Sequence, residues 1–249
     1  MTSALLLGAT KGLGLELARD SVRRRIAPVI YGRSADQPGA IADAPQGATL
    51  HVLDLQIPDS VAHAPLPEHP VGWFFWIAGA FLKAPLARTA ADDIDLYIDL
   101  HLRGPIQFLR RFLRHQAGPF NLVTIGSVSS WRLREDEALY CALKAAQAAF
   151  TRNLAVEMVR DRPGSRVTLV NPGGLNVPTF WEKAPQDLTG FLDAGVVARL
   201  VWDAAMSQSA PFAEIQVMRQ KPVVPGSAPV VEYGPRCPEI VAPGTGASS

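Results

Sequence analysis

Ser3-Ala4-Leu5-Leu6-Leu7-Gly8-Ala9-Thr10-Lys11-Gly12-Leu13-Gly14 is the stretch that decides the fold. Ser3–Leu7 is short, uncharged and apolar, and reads as a buried strand. Glycines follow at once, and residues 13–25 then carry a helical pattern. Glycines permit a tight turn and let the backbone come close to a phosphate, while the helix behind them presents unpaired N–H groups and the positive end of its dipole. Gly8, Thr10, Lys11, Gly12, Leu13 and Gly14 are therefore candidates to cradle an anionic group. The alternative is a turn that merely packs strand on helix. The position of the loop, directly after the first strand and before the first helix, favours the cradle.

Working outward, further short apolar runs occupy residues 27–31, 49–53, 71–77, 120–125 and 166–170, and Phe212–Met218 closes the series. Helical patterns fill residues 92–115, 137–160 and 196–207. Between the second and third runs stand Pro, Gly and Ala where a full crossover helix normally sits. Continuous apolar strands alternating with helices predict an α/β fold: a doubly wound, mostly parallel sheet of seven strands covered on both faces. Residues 1–219 form one expected domain. Residues 220–249 shift to Pro, Gly, Val and Ser, and read equally as an arm over a neighbouring subunit or as a partly disordered tail.

Composition excludes several classes. The 249 residues are 48% hydrophobic and 19% charged, as in ordinary globular chains. Twenty-four Lys and Arg against 23 Asp and Glu leave a net charge of +1, with no electrostatic footprint for nucleic acid or an acidic membrane. The longest uncharged apolar stretch, residues 71–82, falls short of the ~18–20 residues of a spanning helix. No basic segment precedes the short N-terminal apolar run, so no signal peptide is expected. Two cysteines, Cys141 and Cys237, give neither a disulfide framework nor metal-ligand spacing. A cytoplasmic protein without a metal site is the expectation.

Tyr140 and Lys144 lie four residues apart in the 137–160 pattern, on one face of a helix. Leu143, Ala146, Phe150, Leu154 and Met158 form the adjacent apolar stripe, which sets the pair at the edge of the buried face. Ser127 closes the fifth strand thirteen residues earlier, at the end of a parallel sheet where ligands bind. A phenol with an ordinary pKa near 10 is a poor base, but a neighbouring ammonium favours its ionised form. A serine hydroxyl can hold a carbonyl or hydroxyl oxygen in line with the phenol. Such a set suits acid/base catalysis of carbonyl reduction or alcohol oxidation, with the hydride carried by a nicotinamide. A surface Tyr–Lys pair without chemistry is the alternative.

Taken together, the Gly8/Gly12/Gly14 loop, Ser127 with Tyr140-Cys141-Ala142-Leu143-Lys144, and Asn171-Pro172-Gly173 after the sixth strand resemble the short-chain dehydrogenase/reductase family over roughly residues 3–218. The resemblance implies a Rossmann-like fold and an oxidoreductase acting on a small carbonyl or alcohol substrate. It assigns acid/base catalysis to Tyr140, ribose binding and a lowering of the tyrosine pKa to Lys144, and orientation of the substrate oxygen to Ser127. Asp54 and Leu55 would flank the adenine. Ala78 and Gly79 would touch the cofactor and Pro172 and Gly173 would line the nicotinamide side, with Tyr140 and Lys144 also touching the nucleotide. It further implies a homodimer or homotetramer built through the 92–115 and 137–160 helices.

The chain departs from the family pattern in places. Trp76-Ile77-Ala78-Gly79 stands where Asn-Asn-Ala-Gly is usual, Val177 stands where a Thr is expected, with Thr179 two later, and the glycine-rich C-terminal segment of many members is absent. His101 falls at the family's relay asparagine. Pro105, four residues later, has no N–H for the His101 carbonyl, which predicts a kink there and a free main-chain acceptor for the relay. A lone histidine in such an apolar stripe reads first as a packed core residue; the relay argument nevertheless counts His101 with the catalytic set, its imidazole a further group that can titrate near neutral pH. After the second strand, Tyr31-Gly32-Arg33-Ser34 contains no acid for ribose hydroxyls. Arg33, with Lys11, suits a 2′-phosphate, which points to NADP rather than NAD. Arg132 and Arg134 border the substrate loop, where Glu135, Asp136 and Glu137 can simply pair with them; Trp131, Phe180 and Trp181 are candidate apolar walls. Two other readings keep the nucleotide-binding fold: a non-redox enzyme of elimination or isomerisation, and a catalytically silent nucleotide-binding regulator.

Overall fold

The computed structural model describes residues 2–220 and 228–233. Its elements run β1 (Ser3–Leu7), α1 (Gly12–Arg23), β2 (Ala27–Gly32), α2 (Pro38–Asp43), β3 (Thr49–Val52), α3 (Pro58–His63), β4 (Trp73–Trp76), α4 (Ala91–Ile98), α5 (Gly104–His115), β5 (Asn121–Ile125), α6 (Ala138–Asp161), β6 (Arg166–Pro172), β7 (Leu175–Asn176), β8 (Leu192–Asp193), α7 (Ala194–Ser207), β9 (Phe212–Met218) and β10 (Val230–Tyr233). The main sheet has the order β10-β9-β6-β5-β4-β1-β2-β3. All its pairings are parallel except that of β10 with β9. This is the doubly wound α/β sheet expected from the sequence, with eight strands in place of seven.

The extra strand comes from the tail. Val230-Val231-Glu232-Tyr233 has strand-forming residues, but its Pro- and Gly-rich surroundings hide them. It extends the sheet of its own chain at Met218 to Ile215. Residues 221–227 and 234–249 of the expected tail, and Cys237 with them, lie outside the described residues.

Strand alternation divides the core into two layers. Leu5, Leu7, Phe74 and Trp76 face one side and pack with Phe108 and Phe112 of α5 and Leu154 and Met158 of α6. Ala4, Leu6, Trp73 and Phe75 face the other and pack with Leu17 of α1 and Val197, Val201 and Trp202 of α7. Trp202 lies 4.6 Å from Phe75 and 5.0 Å from Trp73, ring to ring. Its indole N–H donates to the Leu17 carbonyl at 3.0 Å, which ties α7 to α1.

The short helices α2 and α3 were not expected, and two of the expected helices differ from the sequence reading. The expected 92–115 helix is α4 and α5 joined by a π-turn at Asp99–Arg103, in which the Gly104 N–H reaches back to the Asp99 carbonyl. Pro105 lacks the N–H that would hold the α-helical register, so the backbone widens where a kink was expected. On α6 the buried face is turned from the apolar stripe. Ala146 is exposed and Phe150 half-buried, while Lys144, Gln147 and Thr151 are buried. Hydrogen bonds link the polar members within the face: the Thr151 hydroxyl donates to the Gln147 carbonyl at 2.9 Å.

Candidate active site

The carboxyl ends of β1, β2, β4, β5 and β6 open into a cleft of about 390 Å³. Every catalytic and cofactor-binding residue expected from the sequence lines it except His101, which lies behind the wall.

At one end is the glycine loop. Gly8 has φ of +93°, and a Cβ there would stand 2.6 Å from the Ala78 Cα, so no other residue fits. α1 starts behind it with an extended Lys11 at its N-cap, no side-chain cap and no acid in its first turn. Its first N–H groups therefore face the cleft uncapped. Lys11 and Arg33 stand exposed on the rim. Arg33 donates to Gln56 Oε1 at 3.3 Å, and among the described residues no carboxylate pairs with either cation. The Asp54 carboxylate is engaged in its own turn, accepting from the Gln56 N–H at 3.0 Å, while the Asp54 N–H donates to the Ser60 hydroxyl. An open helix end, two unneutralised cations and a backbone-tight loop fit the phosphates of a dinucleotide.

At the other end Ser127, Tyr140 and Lys144 converge. Ser127 caps the short turn Val128–Ser130 and accepts from the Ser129 N–H at 3.0 Å. Lys144 Nζ donates to the Ile125 carbonyl at 3.2 Å and to Gln147 Oε1 at 2.9 Å. Burial holds the Tyr140 phenol above its usual pKa, against the opposing pull of the Ser127 side chain. The lowering by Lys144 expected from the sequence does not operate here, because burial drives the lysine itself down to about 7.

His101 is fully buried, its Nε2 2.9 Å from the Ala80 carbonyl and 3.2 Å from the Ala80 N–H. Its ring is edge-on to Tyr140 at 5.8 Å and stacked on Tyr97 at 5.9 Å. Gly79 separates it from Lys144; a Cβ there would stand 3.0 Å from His101 Cε1 and 3.6 Å from Lys144 Nζ. Burial and the nearby Lys144 push the imidazole down to about 3. It stays neutral and does not titrate near pH 7 as expected.

Several contributors were missed by sequence reading. The Ser127 N–H donates to Asn171 Oδ1 at 3.2 Å, Asn171 Nδ2 donates to Glu214 Oε1 at 2.8 Å, and Arg152 grips both oxygens of Glu214 at 2.9 Å. This chain braces the end of β5 from β6, β9 and α6. Phe180 and Trp181 line the cleft as expected, joined by Phe81, Phe191 and Arg219, which no motif marked. Of the loop before α6, Arg134 lines the cleft but Trp131 and Arg132 do not.

The family model described as short chain dehydrogenase matches residues 2–188. The chain belongs to this family. As a short chain dehydrogenase it is an NAD(P)-dependent oxidoreductase acting on CH–OH groups. It is 25% identical over 189 residues to an uncharacterized oxidoreductase of Staphylococcus saprophyticus, covering 70% of this chain and 79% of that protein. It is 28% identical over 185 residues to the NADPH-dependent pterin aldehyde reductase of Arabidopsis thaliana, covering 70% of this chain and 75% of the relative. A solved structure described as a short chain dehydrogenase/reductase family protein superposes with a TM-score of 0.75 at 26% identity, covering 87% of this chain and 95% of that one. No described helix is long and apolar enough to cross a membrane.

Proposed function

We propose that this short chain dehydrogenase uses NADP to interconvert a ketone or aldehyde with its alcohol, with Ser127, Tyr140 and Lys144 as its catalytic groups. The observation that carries the reading is the meeting of these three side chains in the same cleft as an open, cation-rimmed helix end. Gly8, Thr10, Lys11, Gly12, Leu13 and Gly14 would hold the pyrophosphate, Arg33 and Lys11 the 2′-phosphate, and Asp54 and Leu55 the adenine. Ala78, Gly79, Pro172 and Gly173 would flank the nicotinamide. When bound, the nucleotide supplies or accepts the hydride.

The residues of this chain do the rest. Ser127 holds the substrate oxygen by a hydrogen bond. Tyr140, kept protonated by burial, donates its proton to that oxygen during reduction and takes it back during oxidation. Lys144, one helical turn away, would hold the nicotinamide ribose. His101 is a positioning residue, whose neutral imidazole clamps the Ala80 backbone behind Lys144.

The absence of an acid at Arg33 and Ser34, directly after β2, favours NADP, and the Arabidopsis relative is named as NADPH-dependent. Titration with NADPH and NADH tests this: NADPH should bind more tightly, and Arg33→Asp should reverse the order. Equal affinities of the unaltered protein would reduce Lys11 and Arg33 to surface charge. Loss of absorbance at the reduced-nicotinamide band with a panel of carbonyls tests the reaction itself.

A further inference from the structure

Beyond Tyr140 the cleft has a built wall of its own. Phe81 packs edge-on against Tyr140 at 5.1 Å and against Trp181 at 4.7 Å. Trp181 in turn packs against Phe191 at 5.5 Å, and the Arg219 guanidinium lies 4.7 Å over the Phe191 ring. Consecutive aromatic faces thus lead from the reacting phenol to a cation. Trp181 is fixed by its indole N–H, which donates to the Leu175 carbonyl at 2.9 Å.

The charge at the far end is lopsided. Arg134 and Arg219 both line the cleft, and neither has an ion-pair partner among the described residues. Arg132 stands close behind, its guanidinium 3.3 Å from the Met218 sulfur, beside Arg219 in sequence. The fields of Arg134 and Arg219 both act on Arg132, which places three cations together. Among the described residues one carboxylate, Glu137, lines this half of the cleft. Burial pushes Glu137 up toward its neutral form, and Arg134 and Lys83 pull it down. The acids that the sequence offered as partners for Arg134 form no ion pair with it, so its guanidinium remains available.

We infer that the substrate is an aryl or similarly flat carbonyl compound bearing a carboxylate, with its ring against Phe81, Trp181 and Phe191 and its anion on Arg219 and Arg134. This rests on the proposed carbonyl reductase reading and deepens it. A guanidinium fork binds a carboxylate through charge-assisted hydrogen bonds, stronger than neutral ones, and a cation stacked on an aromatic face is held ready for it. An uncharged substrate would leave both arginines without a counterion beside an apolar wall.

The test uses benzoylpropionate and its uncharged counterpart benzoylpropionamide, which share the aryl ketone and differ in charge. Each is titrated calorimetrically into the full chain saturated with NADP. The acid should bind about tenfold or more tightly than the amide at low salt. In Arg134→Gln/Arg219→Gln the preference should collapse toward unity. Equal binding of acid and amide by the unaltered protein, or a preference that survives the double substitution, overturns the inference. So does a weakened NADPH affinity in the double variant without loss of acid preference, since the arginines would then serve the nucleotide. A parallel arm follows NADPH-dependent reduction of benzaldehyde. Turnover without acid preference sinks the anion site and leaves the reductase reading standing. Acid preference without turnover of any carbonyl does the opposite.

Discussion

Tyr140 is 5% exposed and packed edge-on by Phe81 and His101. Tyr140→Phe keeps these ring contacts and removes only the mobile proton. Turnover should fall by ~100-fold or more, the usual scale for a positioned acid/base, with nucleotide affinity unchanged. Near-normal turnover in steady-state assays would remove Tyr140 from the mechanism. Lys144 makes a different prediction, readable without substrate. An unfolded lysine titrates near 10.5, and the buried one near 7. Between these values the unfolded chain holds a proton that the folded chain lacks, so this group makes stability rise with pH across that window. Below pH 7 it adds no slope, and its burial cost is then fully present. The slope is at most about 1.4 kcal/mol per pH unit. Lys144→Met should abolish it, so the unaltered protein should gain on the variant in denaturant midpoint between pH 7 and 10. Parallel curves would place the lysine in a solvated setting. At this scale the proposed catalytic trio was legible because its members sit on two neighbouring elements at helical and strand-end spacing. Asn171 and Glu214 were not, since they meet across 43 residues and only the sheet brings them together. The direction of the Tyr140 shift was also hidden, because it depends on burial and not on which residue stands four places away.

The elements show the same division. The glycine loop, the parallel strands and the long α6 follow from local pattern, and the sheet order puts their ends around one cleft. The α4–α5 junction was partly legible: Pro105 marked the place, but one missing N–H does not reveal whether a backbone kinks or widens. Here it widens, and His101 lies within the π-turn with Nε2 on the Ala80 backbone. Pro105→Ala restores a donor at residue 105 and lets the junction return to α-helical register. That should draw His101 off Ala80 and disturb the space around Gly79 that it shares with Lys144. kcat should fall with nucleotide affinity unchanged, and His101→Asn should retain substantial activity as a smaller polar residue at the same place. Unaltered kcat in Pro105→Ala would make the π-turn a packing detail and His101 a core residue. The sequence also misplaced the buried face of α6, because polar Gln147 and Thr151 are buried through hydrogen bonds that composition does not advertise.

In the whole molecule, two core layers cover both faces of the sheet, yet the outer side of α6 is left with little to repel a partner. Ala142, Ala146, Ala149, Asn153 and Val156 are all exposed and recur at spacings of four and three, a seam on one side of the helix. Val156 is 55% exposed, and on α4 Leu96 is 42% exposed. Small side chains along such a seam let two helices approach closely, and the apolar members gain by being covered. The buried side of the same helix carries Tyr140 and Lys144, so a partner clamped on the seam would stiffen the frame that holds them. A homodimer or homotetramer built through α6 and the α4–α5 pair is therefore expected, and light scattering at micromolar concentration should read twice or four times the chain mass. Ala149→Arg, at the middle of the seam, places a long charged side chain where the helices would meet. It should shift the protein toward monomer while leaving the fold intact by circular dichroism. A monomeric unaltered protein would show that this face is satisfied by water alone, and that α6 is held from its buried side only.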